Sequence, residues 1–244
     1  MEFSRWEPVY ELILADLGFG RAADEAARDA LAERTERFDP DRLSAMRGAT
    51  VAVAGAGPSL EATADAAAGA DVVVAAGAAI ERLPAVGVGV DLGVTDLDSN
   101  PGTVARLTRE GVPVAIHAHG DNRARIGKWL PRCDPAFVLP TTQAAPRGPV
   151  VNHGGFTDGD RAAFLADAFG ADGLRFPGWD LADPDVGPMK REKLRWAERL
   201  LAWLERQRGE RFAVLDGRRG PERFGGGGDG SCGDDGNDPE TVPD

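Results

Sequence analysis

Lysine is nearly missing from this 244-residue chain, which holds only Lys128, Lys190 and Lys193. Basic residues as a class are also outnumbered, with 28 Lys and Arg against 40 Asp and Glu for a formal net charge of -12. Nucleic-acid binding draws most of its affinity from a basic surface that releases condensed counterions, and an anionic membrane surface selects for the same charge. Both kinds of partner are excluded. No apolar run approaches the roughly 18 residues needed to span a bilayer. The start, Met1-Glu2-Phe3-Ser4-Arg5-Trp6-Glu7-Pro8, lacks the basic-then-apolar order of an export signal, so the expected location is the cytoplasm. Cysteine is scarce too: Cys133 and Cys232 are far apart and fit neither a disulfide framework nor a zinc site.

What is present is a 42% hydrophobic chain of 25.7 kDa, long enough for one large α/β domain or two small ones. Few lysines, many Asp and abundant Ala and Gly are similar to the composition of halophile proteins, which concerns solubility rather than activity. Residues 1–48 read as a helical lead, with Trp6, Val9, Tyr10, Ile13 and Leu17 at helical spacing, then an Ala-rich helix after Gly18 and Gly20. From residue 49 to 216 short Val/Ala runs alternate with helical segments. The runs are 51–54, 72–75, 88–94, 112–116, 137–139 and 173–176, with an edge strand at 212–215. The helices start near Ser59, Asn100, Arg123, Gly159 and Pro188. This alternation predicts a Rossmann-like, mainly parallel sheet with helices on both faces, and ligands bind at the carboxyl ends of such strands. Residues 217–244 are rich in Gly and acid, and are expected to be a disordered acidic tail that leaves catalysis untouched.

Residues just after the Val runs therefore carry the chemistry. Gly55-Ala56-Gly57-Pro58-Ser59-Leu60 is a glycine turn before a helix, where Gly55, Gly57 and Ser59 can cradle phosphate or simply make the turn. It lacks the third glycine of the dinucleotide fingerprint. Thr95-Asp96-Leu97-Asp98-Ser99 places two carboxylates at i and i+2 after a strand, hard oxygen ligands suited to Mg²⁺, with Asp91 as a helper upstream. Helix capping by Asp98 or Ser99 is the plainer reading, and it leaves Asp96 unexplained. In His117-Ala118-His119-Gly120-Asp121-Asn122 the residue Asp121 is expected to join the acidic pair, while the histidines contact phosphate or substrate or are satisfied locally. With three histidines in the chain, a hydrolase metal centre lacks ligands. In Gly154-Gly155-Phe156-Thr157-Asp158-Gly159-Asp160-Arg161, Thr157 or Asp158 can cap a helix and Arg161 can reach a phosphate. Lys190 and Lys193, three apart on one helix, suit a triphosphate or a solvated face.

Taken in order, these four blocks resemble the archaeal 6-hydroxymethyl-7,8-dihydropterin pyrophosphokinase family over roughly residues 1 to 216. That family is related to thiamine pyrophosphokinases, whose Asp-x-Asp motif is similar to Asp96-Leu97-Asp98. Ser99 stands where the family often has glycine. The resemblance implies Mg²⁺-dependent transfer of diphosphate from ATP, the co-substrate, to a reduced pterin, with AMP released, an EC 2.7.6 type of transfer serving pterin cofactor or folate synthesis. It implies Asp96, Asp98 and Asp121 as metal-binding catalytic residues, with Asp91 less central. Gly57, Ser59, Lys190 and Lys193 would contact phosphate, and Asn122, Thr157, Asp158 and Arg161 would surround nucleotide or pterin. Asp158 or Asp160 would read the guanidine-like pterin edge. Thiamine pyrophosphokinase, a glycan-modification protein with a similar domain, and a non-catalytic dinucleotide-binding module are the alternatives, and a homo-oligomer is compatible with all of them.

Overall fold

A computed structural model describes residues 1–219. The acidic finish and Cys232, on which the tail expectation rests, lie outside the described residues. Two helices lead, α1 (Phe3–Leu17) and α2 (Arg21–Ala32), separated where Gly18 turns left-handed at φ 69. The strands are β1 (Thr50–Ala54), β2 (Val72–Ala76), β3 (Leu92–Thr95), β4 (Val114–Ala118), β5 (Val138–Thr142) and β6 (Gly173–Arg175). Between and after them run α3 (Ala64–Ala68), α4 (Ala79–Ala85), α5 (Pro101–Arg109), α6 (Arg123–Trp129), α7 (Asp158–Ala168) and α8 (Pro188–Arg208).

The strands form one sheet in the order β5-β4-β3-β2-β1-β6, and every pairing between them is parallel. Alternation within a strand sends neighbours to opposite faces. Val51 and Val53 join Trp6, Phe164 and Leu200 on one face, under α1, α7 and α8. Ala52 and Ala54 join Leu31, Leu83, Leu107 and Ile126 on the other, under α2, α4, α5 and α6. Both faces are thus covered, which is why β2, β4 and β5 are buried along their whole length. The helical lead packs directly on the sheet through Trp6, whose indole N–H donates to Gln143 O at 2.8 Å. Among the described residues no helix is long and apolar enough to cross a membrane.

Four local expectations change. Residues 212–215 form no edge strand: Ala213–Leu215 is a 3-10 turn, held by Phe212 N donating to Glu205 Oε1 and by Phe212 packing on Phe176 at 4.8 Å. The strand expected from Val88 begins only at Leu92, since Gly87 and Gly89 break the run and Gly87 is left-handed at φ 85. The helix expected from Ser59 is a 3-10 turn (Glu61–Thr63) followed by the five-residue α3, too short for a strong N-terminal dipole. The Ala-rich segment after β2 folds as α4, which the strand pattern had passed over.

Candidate active site

The carboxyl ends of the strands open into a cavity of about 800 Å³. At its centre β3 delivers Asp96 and, two residues on, Asp98. Leu97 between them takes a left-handed φ of 67, a conformation that costs a branched side chain about 1–3 kcal/mol. Burial of the Leu97 side chain in the apolar layer offsets that strain, and the turn is closed by Leu97 N donating to Thr95 Oγ1 at 3.0 Å and Asp98 N to Asp96 Oδ1 at 2.9 Å. The third carboxylate comes from the first turn of α7. Asp96, Asp98 and Asp158 each offer an oxygen within 4.8 Å of the others, a group of three that can hold a metal ion. The start of α7 is fixed by a reciprocal cap in which Asp160 accepts from the backbone of Phe156 and Thr157 while Thr157 bonds Asp160.

The electrostatics are those of a crowded anionic centre. Burial works against the charge of Asp96, but hydrogen bonds from His119 and from Asp98 N outweigh it and hold the carboxyl down to about 2. Burial and then the Asp96 charge push Asp98 up. Burial, reinforced by Asp96, pushes Asp158 well above the ordinary carboxylate range. His119 Nε2 lies 2.9 Å from Asp96 Oδ2, and its Nδ1 3.2 Å from Asp121 Oδ1. Arg161, one helical turn after Asp158, is buried beneath the acids. Its Nη2 donates to Phe156 O, its Nε and Nη1 have no hydrogen-bond partner among the described residues, and desolvation lowers its pKa to about 10, leaving it a cation.

Two walls flank the acids. On the side of β1 and β6 stand Gly55, Gly57, Trp179 and Asp180, with Lys190 and Lys193 from the first turns of α8. Neither lysine has an ion-pair partner among the described residues. On the side of β4 and β5 stand His117, Gln143, Asp24 and, from the turn between α1 and α2, Phe19, whose ring is 6.4 Å from that of Phe156.

The structure moves several expected residues. Asp121 is exposed and reaches the trio only through His119, and Asp158 takes its place among the acids. Asp91 precedes β3, so it sits at the opposite end of the sheet from Asp96, where its carboxylate accepts from Val73 N at 2.8 Å. Asn122 is buried outside the cavity, donating to Asp96 O and His117 O and accepting from His119 N, which makes it a brace for the loops. The glycine turn spends the N–H groups expected to cradle phosphate: Gly55 N donates to Pro177 O, Gly57 N to Gly178 O, and Ser59 N and Oγ to Asp180 Oδ2. Its glycines permit close approach of the 177–180 loop, since a Cβ at Gly57 would lie 2.2 Å from Asp180 Oδ2. Asp160 is spent on its cap, and Arg161 does not line the cavity. Sequence reasoning missed Asp24, Gln143, Phe19 and Asp180; only Phe19, a lone aromatic between two glycines, gave a local signal.

Residues 29–186 match the family described as 6-hydroxymethylpterin diphosphokinase MptE-like. The chain is 36% identical to the 6-hydroxymethyl-7,8-dihydropterin pyrophosphokinase of Methanothermobacter thermautotrophicus, over 84% of this chain and 96% of that protein. It is 35% identical to the protein of the same name from Pyrococcus furiosus, over 84% of this chain and 95% of that one. The corresponding protein of Methanocaldococcus jannaschii is 28% identical over 84% of this chain and 96% of its own length.

Proposed function

The chain belongs to the MptE-like 6-hydroxymethylpterin diphosphokinase family, and from that premise we propose that it transfers the β,γ-diphosphate of ATP to the hydroxymethyl group of 6-hydroxymethyl-7,8-dihydropterin. The acceptor oxygen bonds to the β-phosphorus, the bond from that phosphorus to the α,β-bridging oxygen breaks, AMP leaves and the hydroxyl proton is lost. One observation carries the mechanism: three carboxylates converge at the centre of a cavity whose wall holds two lysines without an ion-pair partner among the described residues. Pterin is favoured over thiamine, over a glycan role and over a dinucleotide-binding module, because the three relatives bear the pterin name.

Hard oxygen donors in this number fit Mg²⁺, which binds through carboxylates and substrate phosphates. Asp96, Asp98 and Asp158 would hold the ion, which when bound would supply positive charge against the phosphate charge that builds in transfer. The chain's own groups do the rest. Lys190 and Lys193 bind the polyphosphate as point charges, and the two walls orient donor and acceptor across the acids. His119 fixes the orientation of Asp96. The trio and both walls come from one chain, so this reading needs no second copy. Mass spectrometry of reactions with ATP, Mg²⁺ and either the pterin or thiamine tests it. A diphosphorylated pterin with AMP is expected; thiamine diphosphate alone, or ADP as coproduct, would refute it.

A further inference from the structure

We propose that the wall at the ends of β4 and β5 is the acceptor-ring half of the cavity, and that His117 Nε2 there accepts a hydrogen bond from a ring N–H of the flat heterocycle. This rests on the proposed function and assigns a half of the site and a reading residue that the function leaves open. His117 is buried at 2% exposure, lines the cavity, and its Nε2 has no hydrogen-bond partner among the described residues. The other ring nitrogen, Nδ1, faces Thr141 Oγ1 at 3.3 Å, and the Thr141 hydroxyl is placed to donate to Ile116 O at 3.3 Å. With the Thr141 proton assigned to Ile116 O, Thr141 accepts from Nδ1–H, and a neutral imidazole in that tautomer bears a bare lone pair at Nε2. Burial, with Arg161 and His119 nearby, keeps this ring neutral. A buried acceptor left unpaired is costly, and a ligand donor satisfies it.

The neighbours offer the same kind of group. Asp24 accepts from Gly120 N on Oδ1 and from Tyr10 Oη and Gln143 Nε2 on Oδ2, each at 2.7 Å. Four lone-pair positions less three leaves one, on Oδ1. Gln143 spends an amide N–H on Asp24, and its side chain also faces the His117 ring. This wall therefore presents acceptors to a donor-rich edge, and Phe19 and Phe156 at its rim supply faces for a planar ring. The opposite wall, with Lys190 and Lys193, suits polyphosphate. Strands β4 and β1 are three strands apart, about 14 Å at the usual spacing, with the acids between them.

The test compares wild type, His117→Leu and His117→Gln by calorimetric binding of 6-hydroxymethyl-7,8-dihydropterin and, separately, of α,β-methylene-ATP with Mg²⁺. His117→Leu should weaken pterin binding at least about tenfold and leave the nucleotide analogue within about twofold, while His117→Gln, which restores an acceptor, recovers most of the loss. A second arm uses the unaltered protein, so folding is not at issue: a pterin methylated on its pyrimidine-ring nitrogen should bind at least about tenfold more weakly than its parent. Equal binding of the two pterins, or a His117→Leu defect confined to the nucleotide, would overturn the assignment alone. Wild type that binds and turns over no pterin would overturn the functional reading along with it.

Discussion

Replacing Asp158 by Asn should stabilise the metal-free protein while crippling it. Its carboxylate lies within 4.8 Å of oxygens of both Asp96 and Asp98. Coulomb's law gives about 3.5 kcal/mol for one such pair of charges at an effective dielectric of about 20, and about 0.9 kcal/mol in bulk water. Asp98 is exposed and Asp96 and Asp158 are half-buried, so the relief lies between these limits and is screened by salt. Against it stands the favourable position of Asp158 in the first turn of α7, worth about 0.3–1 kcal/mol. The net gain is about 1–2 kcal/mol, or about 2–8 °C in Tm for a chain of this size. The pH dependence follows from the raised pKa. A carboxyl whose folded pKa lies above its unfolded value contributes stability at low pH, and that contribution is lost as pH rises through the folded pKa.

Thermal unfolding in EDTA at pH 4 and pH 7 measures this. The variant and wild type should be close at pH 4, and the variant should pull ahead at pH 7. With Mg²⁺ the order reverses, because wild type gains a ligand that the variant holds poorly, and turnover should fall at least about 100-fold. A metal-free variant less stable than wild type at pH 7, or one stabilised equally by Mg²⁺, would refute the convergent trio.

His119→Gln, which loosens the group orienting Asp96, should cost about 10–100-fold in metal affinity read by calorimetry, without altering the circular dichroism spectrum. Gly57→Ala places a methyl group 2.2 Å from Asp180 Oδ2 and 2.7 Å from Gly178 O, so it should displace the 177–180 loop and destabilise by about 1–3 kcal/mol in urea unfolding. Replacing Lys190 and Lys193 together by Met should raise KM for ATP about tenfold with a smaller change in kcat, and the difference from wild type should shrink at high salt.

The parallel sheet was legible because Val/Ala runs buried on both faces leave a plain mark between helical segments, and the carboxyl-end rule then led directly to Asp96 and Asp98. Asp158 was legible as a site residue but not as the third acid. It reaches the trio only because α7 crosses back over the sheet, beside Gly77 after β2, whereas Asp121 is close in sequence to a strand end yet faces outward past His119. The glycine turn misled because the N–H groups of Gly55, Gly57 and Ser59 are taken by a loop about 120 residues later, a pairing that no local spacing encodes. Asp24 and Gln143 stand singly on α2 and after β5 and meet by a direct hydrogen bond across more than a hundred residues, so neither belongs to a motif. Asp91 shows the reverse error, a carboxylate next to the right strand but at its wrong end.

The charge of the cavity bears on the order of events. Its lining carries seven carboxylates, at positions 24, 96, 98, 121, 158, 180 and 183, against Lys190 and Lys193. Such a lining repels a bare triphosphate, and the acidic chain around it offers no compensating field. Two exposed or half-exposed lysines supply too little attraction in water to reverse that sign. On the proposed function, the nucleotide would bind with its charge already reduced by a cation, which Asp96, Asp98 and Asp158 would then help to hold. The persistence of lysine at 190 and 193, in a chain that otherwise uses arginine almost throughout, fits that division of labour. Compact point charges can follow a polyphosphate along the wall, whereas fork-shaped guanidinium groups would form ion pairs with Asp180 and Asp183 nearby.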